Sequence, residues 1–178
     1  MQHAVQHQGK GQSMELMPCG KAHALTWGIK ESFRRYFERL PDHNYELTEG
    51  AGRSASGKFT FPPRAEAGPA RAGHRMFSFS GRVLLTAHFG ALSVMIADPE
   101  VLVRPDGRAS LSAEVDKENG QTVRMVIANL ALEGTGGPAG TPQICFSASL
   151  ARDGQYLFMG NYYAGDPLDP VTIRPATA

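Results

Sequence analysis

Tyr36 and His88 are the two side chains whose type and setting are suited to chemistry. Tyr36 lies on the apolar stripe of the stretch LTWGIKESFRRYFERL, Leu25 to Leu40, and Ser32 stands four residues before it. At helical pitch the two share a face, offset by about 40°. That places two hydroxyls side by side where packing alone would prefer carbon. His88 is the second-to-last residue of the aliphatic run VLLTAHF, next to Phe89 and two residues from Gly90. Both also have plainer readings. Tyr36 reads as a helix tyrosine with its ring in the core and its hydroxyl at the rim. His88 reads as a histidine bonded to a backbone carbonyl at a sheet edge. On residue type and position alone the plainer readings are the stronger.

No other signature competes with them. The chain has no G-x-S-x-G, H-E-x-x-H, G-x-x-x-x-G-K-[ST] or G-x-G-x-x-G. Gly134, Gly136 and Gly137 are followed by Pro138 and by no helical pattern, so no helix N-terminus awaits a phosphate. Cys19 and Cys145 are far apart and form neither a disulfide framework nor a C-x-x-C metal site; they read as two buried or idle thiols, and sequence leaves open whether they form a single bridge. His3 and His7 are four apart, but among Gln2, Gln6, Gln8 and Gly9 they read as part of a disordered tail. Net charge is +1, which gives no electrostatic case for nucleic acid or an anionic membrane. Residues 1–24 hold no apolar run of signal-peptide length and no stretch approaches a membrane span, so the chain reads as soluble and unexported.

The elements that must position Tyr36 and His88 are one helix and a set of strands. In Leu25 to Leu40, Ile29, Phe33, Tyr36, Phe37 and Leu40 recur at spacings of three and four. Thr26 is the expected N-cap, and Pro41 ends the run. Lys30, Glu31, Arg34, Arg35, Glu38 and Arg39 read as the solvated face. Strands are expected at Asn44–Thr48, Lys58–Phe61 (stopped by Pro62-Pro63) and Met76–Ser80, with a proline- and glycine-rich loop over 64–73. In the next strand, Val83 to Phe89, alternation puts Val83, Leu85, Ala87 and Phe89 on one face and His88 on the other. A tight turn at Gly90-Ala91 returns the chain through Leu92–Ala97, which Asp98-Pro99 is expected to stop. Further strands follow at 100–104, 109–115, 122–132 and 143–151, and Tyr156 to Tyr163 is read as a strand or a short helical turn. Asp166 to Pro170 closes the domain and the last residues look loose. Met76, Met95 and Met125 read as core filler. With Gly 20 and Pro 12 supplying turns and 42% apolar residues supplying a core, the pattern predicts a mainly β fold. It is expected to be an antiparallel β-sandwich or partly closed barrel with one or two short helices packed on it. Residues 1–23 form a tail and 24–174 a single domain.

The stretch LTWGIKESFRRYF resembles the opening of the HtaA-type haem-binding domain of actinobacterial cell-envelope haem-uptake proteins. KFTFPP, FSFSGRVLLTAHFGALSVMIADPEV and YYAGDPLDPV resemble later pieces of that domain, in the same order. The resemblance implies that Tyr36 ligates ferric haem iron, haem b, and that His88 hydrogen-bonds the tyrosine oxygen, with Ser32 part of the motif. A free phenol titrates near about pH 10. An imidazole N–H given to the phenolate would help hold it deprotonated toward a hard ferric cation. Phe33, Phe79 and Phe89 become candidates for an apolar slot, and Ser32 and Arg35 for the propionates. Where the family often has an acidic residue after the histidine, this chain has Phe89. Family members carry signal peptides and often a membrane tail; this chain shows neither. The reading implied is haem uptake, transfer or storage, with a haem donor or acceptor protein as partner. The rivals are a haem-dependent peroxidase or catalase-like enzyme, for which His74 is the candidate second histidine, and a non-haem interaction module.

Overall fold

The computed structural model describes residues 23–64, 72–117 and 119–175. His3, His7, Cys19 and most of the loop expected over 64–73 lie outside them. Eleven strands form one antiparallel sheet curled into a nearly closed barrel. In chain order they are β1 (His23–Trp27), β2 (Asn44–Thr48), β3 (Gly52–Arg53), β4 (Phe59–Phe61), β5 (Arg75–Ser78) and β6 (Arg82–Ala87). β7 (Leu92–Val103), β8 (Ala109–Asp116), β9 (Thr122–Thr135), β10 (Ile144–Leu150) and β11 (Pro167–Pro175) complete the sheet. The spatial order is β2-β6-β7-β8-β9-β10-β11-β1-β4-β3, with β5 also on β7. The helix α1 (Glu31–Phe37) and a 3-10 segment, Asp153–Phe158, lie against it.

The pleat sorts side chains as expected over most of the sheet. Val83, Leu85 and Ala87 of β6 and Leu111, Ala113 and Val115 of β8 are buried, in one core with Phe146, Val171 and Ile173. Removing such side chains from water is the main stabilising contribution, about 1.5–3 kcal/mol for each large one.

Three expectations need correction. Asp98-Pro99 does not stop a strand; β7 runs through it as a bulge, with the β7–β8 register shifting between Ala97 and Glu100. The physical reason is that Asp98 takes φ 47° and pairs twice with Gly81, accepting from its N–H at 3.1 Å and donating to its carbonyl at 2.9 Å. The bulge also hands β7 from β6 to β5. The C-terminal residues through Pro175 are not loose: β11 is an interior strand between β10 and β1, with Val171 and Ile173 fully buried. Pro170 is tolerated because the β10–β11 register shifts between Phe146 and Ala148.

The third correction concerns the helix. Leu25 and Trp27 belong to β1, buried at alternate positions with Thr26 between them, so Thr26 is no cap. α1 is seven residues long, well short of the ~12–15 that an isolated helix needs. It stands on packing and on one acid from β11. Lys30, at the N-cap, makes no side-chain capping bond; its ammonium donates instead to the Pro167 carbonyl at 2.6 Å. Asp169 replaces it: Oδ1 accepts the Glu31 N–H at 2.7 Å and Oδ2 pairs with Arg34. Arg34, read as solvated, is only 7% exposed and also donates to the Gly28 carbonyl. Trp27 Nε1 donates to the Asp169 carbonyl at 3.1 Å. Gly28 is required here, since a Cβ on it would overlap both Arg34 and Asp169. Phe33 and Phe37 face inward, Phe37 against Tyr45 with ring centroids 5.0 Å apart.

Candidate functional site

The inward face of α1 is fixed by Phe33, Arg34 and Phe37, so Tyr36 is left on the open side, 49% exposed. Its hydroxyl lies 3.1 Å from Nε2 of His88. The two are 52 positions apart in sequence and arrive from different elements, the helix and the β6–β7 hairpin. With Nε2 protonated, the imidazole donates to the tyrosine oxygen; with Nε2 bare, it accepts from the phenol.

The hairpin explains why His88 can reach. β6 ends at Ala87, and His88, Phe89 and Gly90 take φ 51°, 55° and 87° in succession. For glycine this conformation is free, while a non-glycine residue costs about 1–2 kcal/mol there. A strand continued past Ala87 would have sent Phe89 into the core, as the alternation predicts. The left-handed turn instead throws Phe89 fully into solvent, 101% exposed, and swings His88 toward the helix. The Phe89 N–H donates to Oδ2 of Asp42 at 2.6 Å. That bond is the main reason the Asp42 carboxyl sits below the usual carboxylate range; the His88 N–H and the His88 charge act in the same direction.

Tyr36 and His88 open onto a cleft of about 480 Å³. Its helix wall is Phe33 and Tyr36, and its hairpin wall is His88, Ala91 and Leu92. The third wall, formed by Leu157, Phe158 and Met159 with Asn161 and Tyr162, comes from the 3-10 segment and the turn after it. Phe158 stands edge-on to Phe33, with centroids 5.3 Å apart, and edge-on to Tyr162 at 5.0 Å. Sequence reasoning missed this wall: it left 156–163 open between a strand and a short helical turn, and the structure makes a 3-10 segment that ends at Phe158. The apolar run Tyr156-Leu157-Phe158-Met159, set in a glycine-rich loop, was the available signal.

The other expected site residues lie elsewhere. Phe79 is buried in the barrel core at 1% exposure. Phe89 is on the surface, and Ser32 is exposed on α1 outside the cleft. Arg35 lines a second groove on the far side of the helix and makes an exposed pair with Glu31 at 3.8 Å. That groove is larger, about 730 Å³, but it is lined by Glu31, Glu38, Arg34, Arg35, Arg53 and Lys58, a poor bed for an apolar ligand. His74 immediately precedes β5, which pairs with the Val103 end of β7, while His88 adjoins the Leu92 end. At ~3.3 Å per residue a twelve-residue strand separates those ends by roughly 35 Å. Met95 is buried and Met125 packs on the core, as expected. Cys145 is half-buried, with the Gln143 amide 3.2 Å from its sulfur. Among the described residues no group of three or more His, Cys, Asp or Glu could hold a bare metal ion. No described helix is long and apolar enough to cross a membrane.

A barrel of this topology with a tyrosine–histidine pair at the mouth of an aromatic cleft defines a class, and the comparisons give its family. The HtaA family profile matches residues 22–174, and the chain belongs to that family. Two crystal structures from Corynebacterium glutamicum share the fold at TM-score 0.69. One is the C-terminal domain of HtaA, 24% identical over 86% of this chain and 94% of that one. The other is the N-terminal domain, 21% identical over 88% and 98%. The heme-binding protein HtaB from the same organism is also similar, at TM-score 0.62 and 16% identity over 85% of this chain and 92% of that one. No curated protein matches the chain in sequence.

Proposed function

We propose that the chain binds haem and carries or stores it, holding ferric haem b iron through the deprotonated oxygen of Tyr36. The observation that carries this reading is the 3.1 Å contact between Tyr36 Oη and His88 Nε2, both of which line an apolar, aromatic-walled cleft. Membership of the HtaA family and the fold shared with a heme-binding protein support it. The residues fit the cargo. A flat macrocycle asks for a slot of a few hundred Å³ with apolar walls and one well-placed polar contact. Phe33, Leu92, Leu157 and Phe158 supply the walls and Tyr36 the contact.

An exposed phenol is a weak ligand at neutral pH because it keeps its proton. His88 offsets this by donating from Nε2 to the phenolate, favouring the anion and fixing the ring. Phenolate ligation favours ferric over ferrous iron, which suits a carrier that hands haem on without reacting with it. A haem donor or acceptor protein would meet the open mouth. A peroxidase- or catalase-like activity would need a second acid–base group above the iron. Among the described residues His88 is the only imidazole lining the cleft, and it is engaged with Tyr36.

The test is hemin titration of the purified protein, followed by visible absorption. The expected result is a one-to-one complex with tyrosinate-to-ferric charge-transfer bands, and Tyr36→Phe, folded but lacking them, losing most of its affinity. Parent-like bands in Tyr36→Phe would overturn the ligand assignment. Peroxide turnover well above that of free hemin would revive the enzyme reading.

A further inference from the structure

We propose that Asp42 is the positioning residue of this site: its carboxylate ties the hairpin that carries His88 to the loop leaving the helix that carries Tyr36. The meaning of the inference rests on the haem reading above, but its geometry does not.

The first observation is where Asp42 stands. Six residues past Tyr36, the chain Leu40-Pro41-Asp42-His43 makes a turn closed by the His43 N–H on the Leu40 carbonyl at 3.2 Å. The His43 ring adds a second contact to that carbonyl, Nδ1 to oxygen at 2.7 Å. Leu40 in turn donates to the Phe37 carbonyl and Arg39 to that of Tyr36, both at 3.1 Å. The Pro41 ring fixes its own φ, so the turn has little freedom. Asp42 is thereby held at a set distance from the helix end.

The second observation is what Asp42 holds. Its Oδ2 accepts the Phe89 N–H at 2.6 Å. His88 and Phe89 are both non-glycine residues in the left-handed region, followed by Gly90 at φ 87°. Successive amides in such a turn point their N–H groups to one side and form a small anion-binding concavity. The depressed pKa of the Asp42 carboxyl, caused first by the Phe89 N–H and next by that of His88, agrees with a carboxylate seated there. Without the anion the Phe89 N–H loses its partner and the turn loses the contact that offsets its strain. An extended backbone at 88–89 would carry the imidazole away from Tyr36. The 3.1 Å contact between two residues 52 apart therefore depends on a residue that touches neither of their side-chain oxygen or nitrogen atoms at that contact.

The experiment uses the full chain and the variants Asp42→Ala and Asp42→Asn, read two ways. The ligand-free proteins are followed by long-range proton–nitrogen NMR of the histidine rings, with His74 as the distant reference. Hemin-loaded proteins are followed by transfer to an apoprotein acceptor. In Asp42→Ala the His88 ring signals should shift and broaden while those of His74 stay fixed, and haem release should quicken about tenfold, the lower end for loss of a supporting partner. Asp42→Asn should recover most of both, because the amide oxygen still accepts the Phe89 N–H. His88 signals unchanged in Asp42→Ala would overturn the proposal, as would an Asn variant that behaves like Ala. If His88 moves as described while the parent protein binds no hemin, the positioning role stands and the haem reading falls.

Discussion

The two sides of α1 show two ways of using polar groups. On the closed side Arg34 is buried against Asp169 of β11, which also takes the Glu31 N–H, and donates to the Gly28 carbonyl. On the open side Tyr36 and His88 make a single contact with each other and otherwise face an apolar cleft. The closed side spends its charges on fixing the helix; the open side leaves two ionisable groups incompletely satisfied, next to space. A polar group that packing has fully satisfied is a structural part. A polar pair presented to an apolar hollow is where a ligand would complete the bonding.

The sharpest way to break this contrast is to open the closed side. Asp169→Ala leaves the Arg34 guanidinium buried without its counter-charge and the first turn of α1 without a cap. Removing one partner of a buried pair costs about 3–5 kcal/mol. Urea unfolding should show a midpoint lowered accordingly, with haem binding lost only as the fold is lost. Asp169→Asn keeps an acceptor for the Glu31 N–H and should fall between. A loss below about 1 kcal/mol, the range of an exposed pair, would mean that Asp169 does not anchor the helix.

The next largest effect belongs to the open side. His88→Ala should leave stability nearly unchanged, since His88 is exposed and its ring makes only the exposed contact with Tyr36. On the haem reading proposed above, Tyr36 would survive as a ligand but lose the donor that favours its anion. Losses of this kind typically weaken metal holding by about 10- to 100-fold. Because the phenolate is then more easily protonated, acid-driven haem loss should begin at higher pH than in the parent. Identical release rates across a pH series would separate His88 from the ligand. Asp42 should not set that threshold. Its pKa is depressed, so its hold on the hairpin is complete above the usual carboxylate range and is lost only as pH falls through the lower folded value.

What the sequence made legible follows the same division. The β6 alternation through Ala87 and the mainly β, partly closed architecture were readable because they rest on local period and residue type. The pairing of Tyr36 with His88 came only from the resemblance to the HtaA-type domain, because residue type and position alone favoured plainer readings. Arg34 was misread because burial of a charge depends on Asp169, 135 residues away, which no local pattern announces. Phe89 was misread because alternation assumes an extended backbone, and the left-handed turn at His88–Gly90 violates that assumption where the site is built. β11 was misread because two prolines look like a terminus until β10 and β1 are seen on either side of it.

The smallest effect contrasts two tyrosines near the same helix. Tyr45 sits on the closed side, its ring against Phe37, its hydroxyl donating to Glu38 at 3.2 Å and the Arg53 guanidinium 4.2 Å over its face. Burial, then the Glu38 charge, push its pKa up to about 12. The folded value lies above the unfolded one, so the stability it confers is whole below about pH 10 and is lost as pH rises toward 12. In an alkaline titration followed by tyrosinate absorbance, one step should therefore lag behind the others. Tyr45→Phe should remove that step and flatten the stability loss between about pH 10 and 12. Hemin binding should be unchanged, because Tyr45 is not among the residues lining the cleft. If Tyr45→Phe instead weakens hemin binding as Tyr36→Phe does, the two sides of the helix are coupled. The division between a satisfied structural side and a ligand-completing side would then not hold.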